Sequence, residues 1–334
     1  MTRARKSLID LSSTSYYHLI ARCVRQAYLC GNDKHTGRNF DHRREWLIER
    51  IKLLSSVFAI EIAAYAIMSN HYHLVVNVNR QQALEWSDDA VIKRWYQLYN
   101  GHMLVDRYLN GEQLDKPSLL FFNEIIAKWR ERLYDISWYM KNLNEYIARE
   151  ANKEDNCTGK YWEGRYKSQA LLDQTAVLSC MAYVDLNPIR ANIAGTLEES
   201  DFTSIQQRIA HFKAFNADVM KANKLIKQKS NIQHESQPAQ LKPFGGNNIK
   251  HTIPFALLDY IELVDWSGRH IDPKKKGHIN NTVPKALLTL NIEEAQWLES
   301  VKRFRHQYAN FAGSKQRLKQ HAASNDVKWY KGTG

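Results

Sequence analysis

The residues best placed to do chemistry are His71 and His73, inside Ala64-Tyr65-Ala66-Ile67-Met68-Ser69-Asn70-His71-Tyr72-His73-Leu74-Val75-Val76-Asn77-Val78. The stretch reads as two strands joined by a tight turn. Side chains alternate along a strand, so His71 and His73 project from one face and Tyr72 from the other. Two imidazoles held side by side form a metal chelate. The plainer alternative is a pair of half-exposed strand histidines.

A second group lies far along the chain, in Tyr183-Val184-Asp185-Leu186-Asn187 before Pro188. Tyr183 and Asn187 are spaced to share one helix face. The Asn187 carbonyl oxygen is a candidate third ligand for a divalent metal beside two histidines. Tyr183 offers a phenol, a weak nucleophile until an electropositive, metal-polarised site stabilises its phenolate. Attack by a tyrosine on phosphorus gives a phosphotyrosine ester, which keeps the energy of a broken strand for rejoining. The alternative for Tyr183 is an ordinary packed helix tyrosine.

These side chains need a sheet and a helix to hold them. Tyr16 to Val24 alternates and reads as the first strand. Asp41 to Val57 has helical spacing, with Trp46, Ile48, Ile51, Leu53 and Leu54 on its apolar side. Ala59 to Met68 and His71 to Val78 form a hairpin with Ser69-Asn70 at its turn. Ala83 to Tyr99 reads as helix and Gly101 to Pro117 as a looped insertion. Leu119 to Ala151 reads as one or two long helices and Tyr161 to Leu172 as a strand. Gln174 to Asn187 is a helix that Pro188 ends. This order implies an α+β domain with a central antiparallel sheet and helices on one face. From about Gln207 to Asn248 the chain turns polar, as a helical extension and linker. Ile253 to Gly313 regains apolar content as a small, mostly helical module, with a loosely ordered basic tail after Ser314.

The 334 residues are 44% hydrophobic, enough for a sizeable core, and carry a net charge of +12, which favours a polyanionic partner. Nucleic acid fits best, with an anionic membrane surface second. The 17 Tyr and 9 Trp suit stacking on bases as well as packing a core. Arg165 and Lys167 alternate along one strand face and suit contacts to a DNA backbone. Lys274-Lys275-Lys276 and Lys302-Arg303-Phe304-Arg305-His306 suit phosphate contacts that position rather than react. Cys23, Cys30, Cys157 and Cys180 show no Cys-x-x-Cys spacing, which argues against a zinc ribbon and a disulfide framework. No apolar signal segment follows the basic start, and no apolar run is long enough to span a membrane, so a cytoplasmic, nucleoid-associated protein is expected.

Three pieces carry a family resemblance: Met68-Ser69-Asn70-His71-Tyr72-His73-Leu74, Tyr161-Trp162-Glu163-Gly164-Arg165-Tyr166-Lys167-Ser168-Gln169, and Met181-Ala182-Tyr183-Val184-Asp185-Leu186-Asn187-Pro188-Ile189-Arg190-Ala191. Together they resemble the single-tyrosine HUH transposases of the insertion-sequence superfamily, most closely the REP-associated tyrosine transposases. The resemblance covers residues 12–205 and implies a ferredoxin-like catalytic domain. It implies metal-dependent cleavage and rejoining of single-stranded DNA at hairpin-forming repeats through a 5′-phosphotyrosine. Residue by residue, His71 and His73 match the metal ligands, Tyr183 the nucleophile and Asn187 the polar residue that completes coordination. Tyr72 departs from the apolar residue common between the histidines. The metal implied is Mg²⁺, while two imidazoles suit Mn²⁺ at least as well on ligand chemistry.

Residues 206–249 are then the polar extension and linker, and 250–334 a small basic module expected to aid DNA binding but to be dispensable for chemistry. The partner is single-stranded or hairpin DNA, with the protein a monomer or homodimer. Two other readings stay open. One is a domesticated, non-cutting binder of structured repeats. The other is a zinc hydrolase, which needs a carboxylate base such as Glu61. Tyr146 is the second choice of nucleophile.

Overall fold

The computed structural model describes residues 8–24, 29–33, 37–221, 237–246, 249, 251–271 and 284–332. In chain order the elements begin with strand β1 (Tyr16–Arg22), helix α1 (His42–Val57), and the hairpin strands β2 (Ile60–Ile67) and β3 (His71–Val78). Helices α2 (Arg80–Glu85), α3 (Asp88–Trp95), α4 (Met103–Leu109), α5 (Lys116–Arg132) and α6 (Ile136–Glu154) follow. Strand β4 (Lys167–Leu171) then leads into α7 (Gln174–Asp185) and the short α8 (Asn187–Arg190). The rest comprises α9 (Ser204–Lys221), α10 (Leu257–Ile271), α11 (Lys285–Leu290), α12 (Glu294–Gln307), β5 (Phe311–Ala312) and α13 (Lys315–Ser324).

The fold is α+β, around a five-stranded sheet of order β2-β3-β1-β4-β5. Strand β1 pairs antiparallel with both β3 and β4, the ferredoxin-like order. β5 adds an unanticipated edge strand, parallel to β4. Ile20 lies opposite His73 and Arg22 opposite His71, while His18 lies opposite Gln169 and Ile20 opposite Lys167. Directly paired residues share a face. One face therefore carries His18, His71, His73, Lys167 and Gln169. The other carries Tyr17, Leu19, Tyr72, Leu74 and Val76, all fully buried. A one-residue slip would send that apolar set to the imidazole face, so the apolar alternation pins the register.

Contacts divide the chain into two compact units. The first comprises Met1–Arg44, Ile62–Asn77 and Trp162–Gly334. It contains the sheet face just described, and all described residues after 250 belong to it. Helix α7 buries every residue from Ala176 to Asp185, so it is apolar all round and packs as a central helix. Asp173 caps it, accepting from the Ala176 N–H at 2.9 Å and from the Ser314 N–H at 2.7 Å. One apolar cluster joins Met181, Val184 and Leu186 to Tyr260, Leu263, Trp297, Val301 and Phe304. At the end of α7 the buried Asp185 carboxylate accepts from Ser204 Oγ at 2.5 Å, the Ile205 N–H at 3.0 Å and Tyr260 Oη at 2.6 Å.

The second unit is Glu45–Glu61 with Val78–Tyr161. Leu47, Ile51 and Leu54 form the buried stripe of α1, while Trp46, Ile48 and Leu53 are only partly buried. Trp95 stacks on Trp129 and Tyr99, with ring centroids 5.1 and 4.3 Å apart. The single helix expected over Ala83 to Tyr99 is split, because Ser87 caps a new start by accepting from the Ala90 N–H. The looped insertion expected over Gly101 to Pro117 contains α4. Among the described residues no helix is long and apolar enough to cross a membrane.

Candidate active site

His71 and His73 stand side by side on the sheet face, ring centroids 5.0 Å apart. His73 is buried and His71 half-buried. A third histidine, His18 on β1, stacks on His73 at 5.1 Å. One placement of the ring protons satisfies the hydrogen bonds around them. Gln169 Nε2 donates to the Ala309 carbonyl at 2.8 Å, which turns its Oε1 to His18 Nδ1 at 3.3 Å. His18 Nδ1 is therefore the protonated nitrogen, and its Nε2 accepts from His73 Nδ1 at 2.8 Å. That leaves the His73 Nε2 lone pair uncommitted among the described residues. His71 Nδ1 donates to Asn70 Oδ1 at 2.6 Å, which frees its Nε2 in the same way. Committing one ring nitrogen as donor is how protein surroundings orient a metal-binding imidazole.

All three rings are held neutral. Burial pushes His18 and His71 down to about 4, with Arg22 and Arg305 adding to the effect on His71. Burial and the neighbouring imidazoles hold His73 well below the ordinary value. The unfolded chain takes up these protons from about pH 6.5 downward, whereas the fold takes them up near pH 4 at His18 and His71 and only well below the ordinary histidine range at His73. Their contribution to stability is thus complete above the ordinary histidine value and lost as pH falls. Asp185 works in the opposite sense, because burial raises it to about 6 and its contribution is lost as pH rises through that value. Each proton is worth ~1.4 kcal/mol per pH unit, and the three histidines outweigh the one carboxylate. The melting temperature should fall steadily from pH 7 to pH 4.5 in scanning calorimetry. A flat profile would mean that the imidazoles are not buried as neutral rings.

Tyr183 reaches the same face from α7. Its ring meets His73 edge-on at 5.8 Å and His18 at 6.1 Å, and Phe304 of α12 packs against it at 5.7 Å. The Arg190 guanidinium lies over the ring, 4.3 Å from its centroid. One Arg190 nitrogen, Nη1, is buried without a hydrogen-bond partner among the described residues. Asn187 does not share a continuous helix with Tyr183, as the spacing suggests. Helix α7 ends at Asp185, Pro188 has no N–H to continue it, and Asn187 opens α8. The Asn187 carboxamide makes no hydrogen bond among the described residues, and its Nδ2 is buried and unsatisfied.

The structure brings His71, His73 and Tyr183 together. Arg165 does not lie on a strand with Lys167, as expected, because β4 begins only at Lys167 and Arg165 sits in the preceding bend. Both are exposed and line a cavity beside His71. Lys274, Lys275 and Lys276 lie outside the described residues. Glu61 and Tyr146 belong to the second unit. Sequence reasoning missed His18, Gln169 and the roles of Arg190 and Phe304. Alternation along Tyr16 to Arg22 held the only hint of His18, since no local signal gives the β1–β3 register. Among the described residues no group of three His, Cys, Asp or Glu side chains could hold a metal. A metal here depends on a carboxamide or a substrate phosphate for its third donor.

No family model and no curated protein sequence matches the chain. A search of solved structures finds a REP-associated tyrosine transposase bound to a REP hairpin, with a TM-score of 0.36 and 11% identity, over 63% of this chain and 86% of that one. It bears the name of the family that the motifs around His71 and Tyr183 resemble. At that TM-score neither chemistry nor partner is carried across.

Proposed function

We propose that the protein cleaves and rejoins single-stranded DNA, with Tyr183 as nucleophile and Mg²⁺ or Mn²⁺ held by His71, His73 and Asn187. The observation that carries this reading is the meeting of Tyr183 with the His71–His73 pair on one sheet face. The donor types suit a divalent ion: two imidazole Nε2 lone pairs freed by the network, and the carboxamide oxygen of Asn187, which accepts no hydrogen bond among the described residues. All three are neutral, so substrate phosphate is the natural source of negative charge at the ion. When bound, the metal supplies Lewis-acid polarisation of a non-bridging phosphate oxygen.

The chain's own residues do the rest. Tyr183 Oη attacks phosphorus, forming the tyrosyl ester as the P–O3′ bond breaks. The phenol proton goes to water and the leaving 3′ oxygen gains one. Attack by a 3′-OH on the ester runs the step backwards and rejoins a strand. His73 and Phe304 fix the ring, and Arg190 places a cation over the face where phenolate charge develops.

The test is to incubate the full chain with single strands from its own genomic flanks, with Mg²⁺ or Mn²⁺, and look for a covalent adduct on a denaturing gel. A protein that only binds folded repeats gives none. His71→Ala and His73→Ala should each cut adduct formation by about a hundredfold, as loss of a key electrostatic group does, while circular dichroism stays native. Metal-independent attachment, or His variants as active as the parent, would remove the metal from the reading.

A further inference from the structure

A cavity of about 710 Å³ opens beside His71 in the first unit. This falls in the range of ~300–1,000 Å³ typical of small-ligand sites, a size that suits a few unpaired nucleotides. Its lining includes Arg22 from the end of β1, Arg165 from the bend before β4, Lys167 from β4 and Arg305 from α12. All four are exposed, and none makes an ion pair among the described residues. They face a single lining carboxylate, Glu163. Unpaired cations converging from four segments on a cavity mark a place for a polyanion rather than a solvated face.

One wall comes from the C-terminal helix. The backbone of α12 leaves helical geometry at Arg303, with φ −118° and ψ 22°. The next residue, Phe304, turns inward against Tyr183, and Arg305 lines the cavity. Ala309 and Asn310, just beyond, are bonded to Gln169 and to the Ala170 N–H, which fixes this wall to β4.

We propose that this cavity seats the single-stranded DNA flanking the scissile phosphate, and that Arg305 is a phosphate-positioning residue supplied by the C-terminal helix. The inference rests on the strand-cleavage reading, which it deepens by assigning the strand's path and a wall of the site. Arg305 is a positioning residue, so its loss should weaken binding more than the reaction at saturating DNA.

The experiment measures anisotropy of a fluorescent single-stranded oligonucleotide across a salt series, using the full chain, Arg305→Gln, and Lys319→Gln as an exposed-charge control. Adduct formation at saturating DNA is followed in parallel, and melting confirms that each variant is folded. Arg305→Gln should bind about three- to tenfold more weakly and lower the salt slope by about one, with adduct yield at saturation nearly kept. Lys319→Gln should do neither. Unchanged affinity and slope in Arg305→Gln, or an equal loss in Lys319→Gln, overturns the inference while adduct formation leaves the cleavage reading standing. Dependence on Arg305 seen only with RNA of the same sequence overturns the assignment to DNA. Arg305-dependent binding of DNA by a chain that forms no adduct keeps the seat and removes the cleavage.

Discussion

Tyr183→Phe is expected to abolish covalent attachment to DNA and leave binding within about twofold, because it removes only the attacking oxygen. Tyr183 is 6% exposed and its ring is held by His73, Phe304 and the Arg190 guanidinium. Phenylalanine keeps each of those ring contacts. The Tyr183 hydroxyl has no hydrogen-bond partner among the described residues, so stability should change by less than about 1 kcal/mol, the worth of one ordinary hydrogen bond. The measurement pairs a denaturing gel for the adduct with anisotropy for affinity and a melt for stability. An adduct that survives in Tyr183→Phe would move the nucleophile elsewhere, and Tyr146→Phe is then the variant to make. Loss of binding with the adduct would mean that the hydroxyl holds the strand rather than attacks it.

His71 and His73 were legible because a period of two needs no tertiary information: a strand bearing His-x-His must present both rings together. The hairpin turn and the βαββ order could be read for the same local reason. His18 could not, since its place beside His73 depends on the β1–β3 register, set by Tyr17, Leu19, Tyr72 and Leu74 packing on the opposite face. The strand expected over Tyr161 to Leu172 shortens to Lys167–Leu171 because Glu163, Gly164 and Arg165 form a bend, with only Trp162 bridging to Cys23. The tail after Ser314 reads as loose from its charge. It forms α13 because Ser314 caps it and Leu318 is fully buried. Phe304 sits in a basic run whose charges mask it, and only the packed α12 shows that this residue faces inward.

The same packing changes what is expected of the C-terminal segment. A polar linker before residue 250 suggests a detachable module whose loss would spare the chemistry. In the fold, Tyr260, Leu263, Val264, Trp297, Val301 and Phe304 are fully buried in one cluster with residues of α7. Truncating a single buried large side chain costs ~2–5 kcal/mol, against a total stability of ~5–15 kcal/mol for a domain. Deletion of residues 250–334 would also strip β5 from β4, the Ser314 N–H from the Asp173 cap and the Tyr260 hydroxyl from buried Asp185. The truncated chain should therefore show no cooperative unfolding transition and form no adduct. Phe304→Ala in the full chain separates the two losses. It should melt cooperatively, at a stability lower by ~3–5 kcal/mol, with adduct formation reduced because the Tyr183 ring has lost one wall. A truncated chain that melts cooperatively and still forms the adduct would show that α12 is not part of the site.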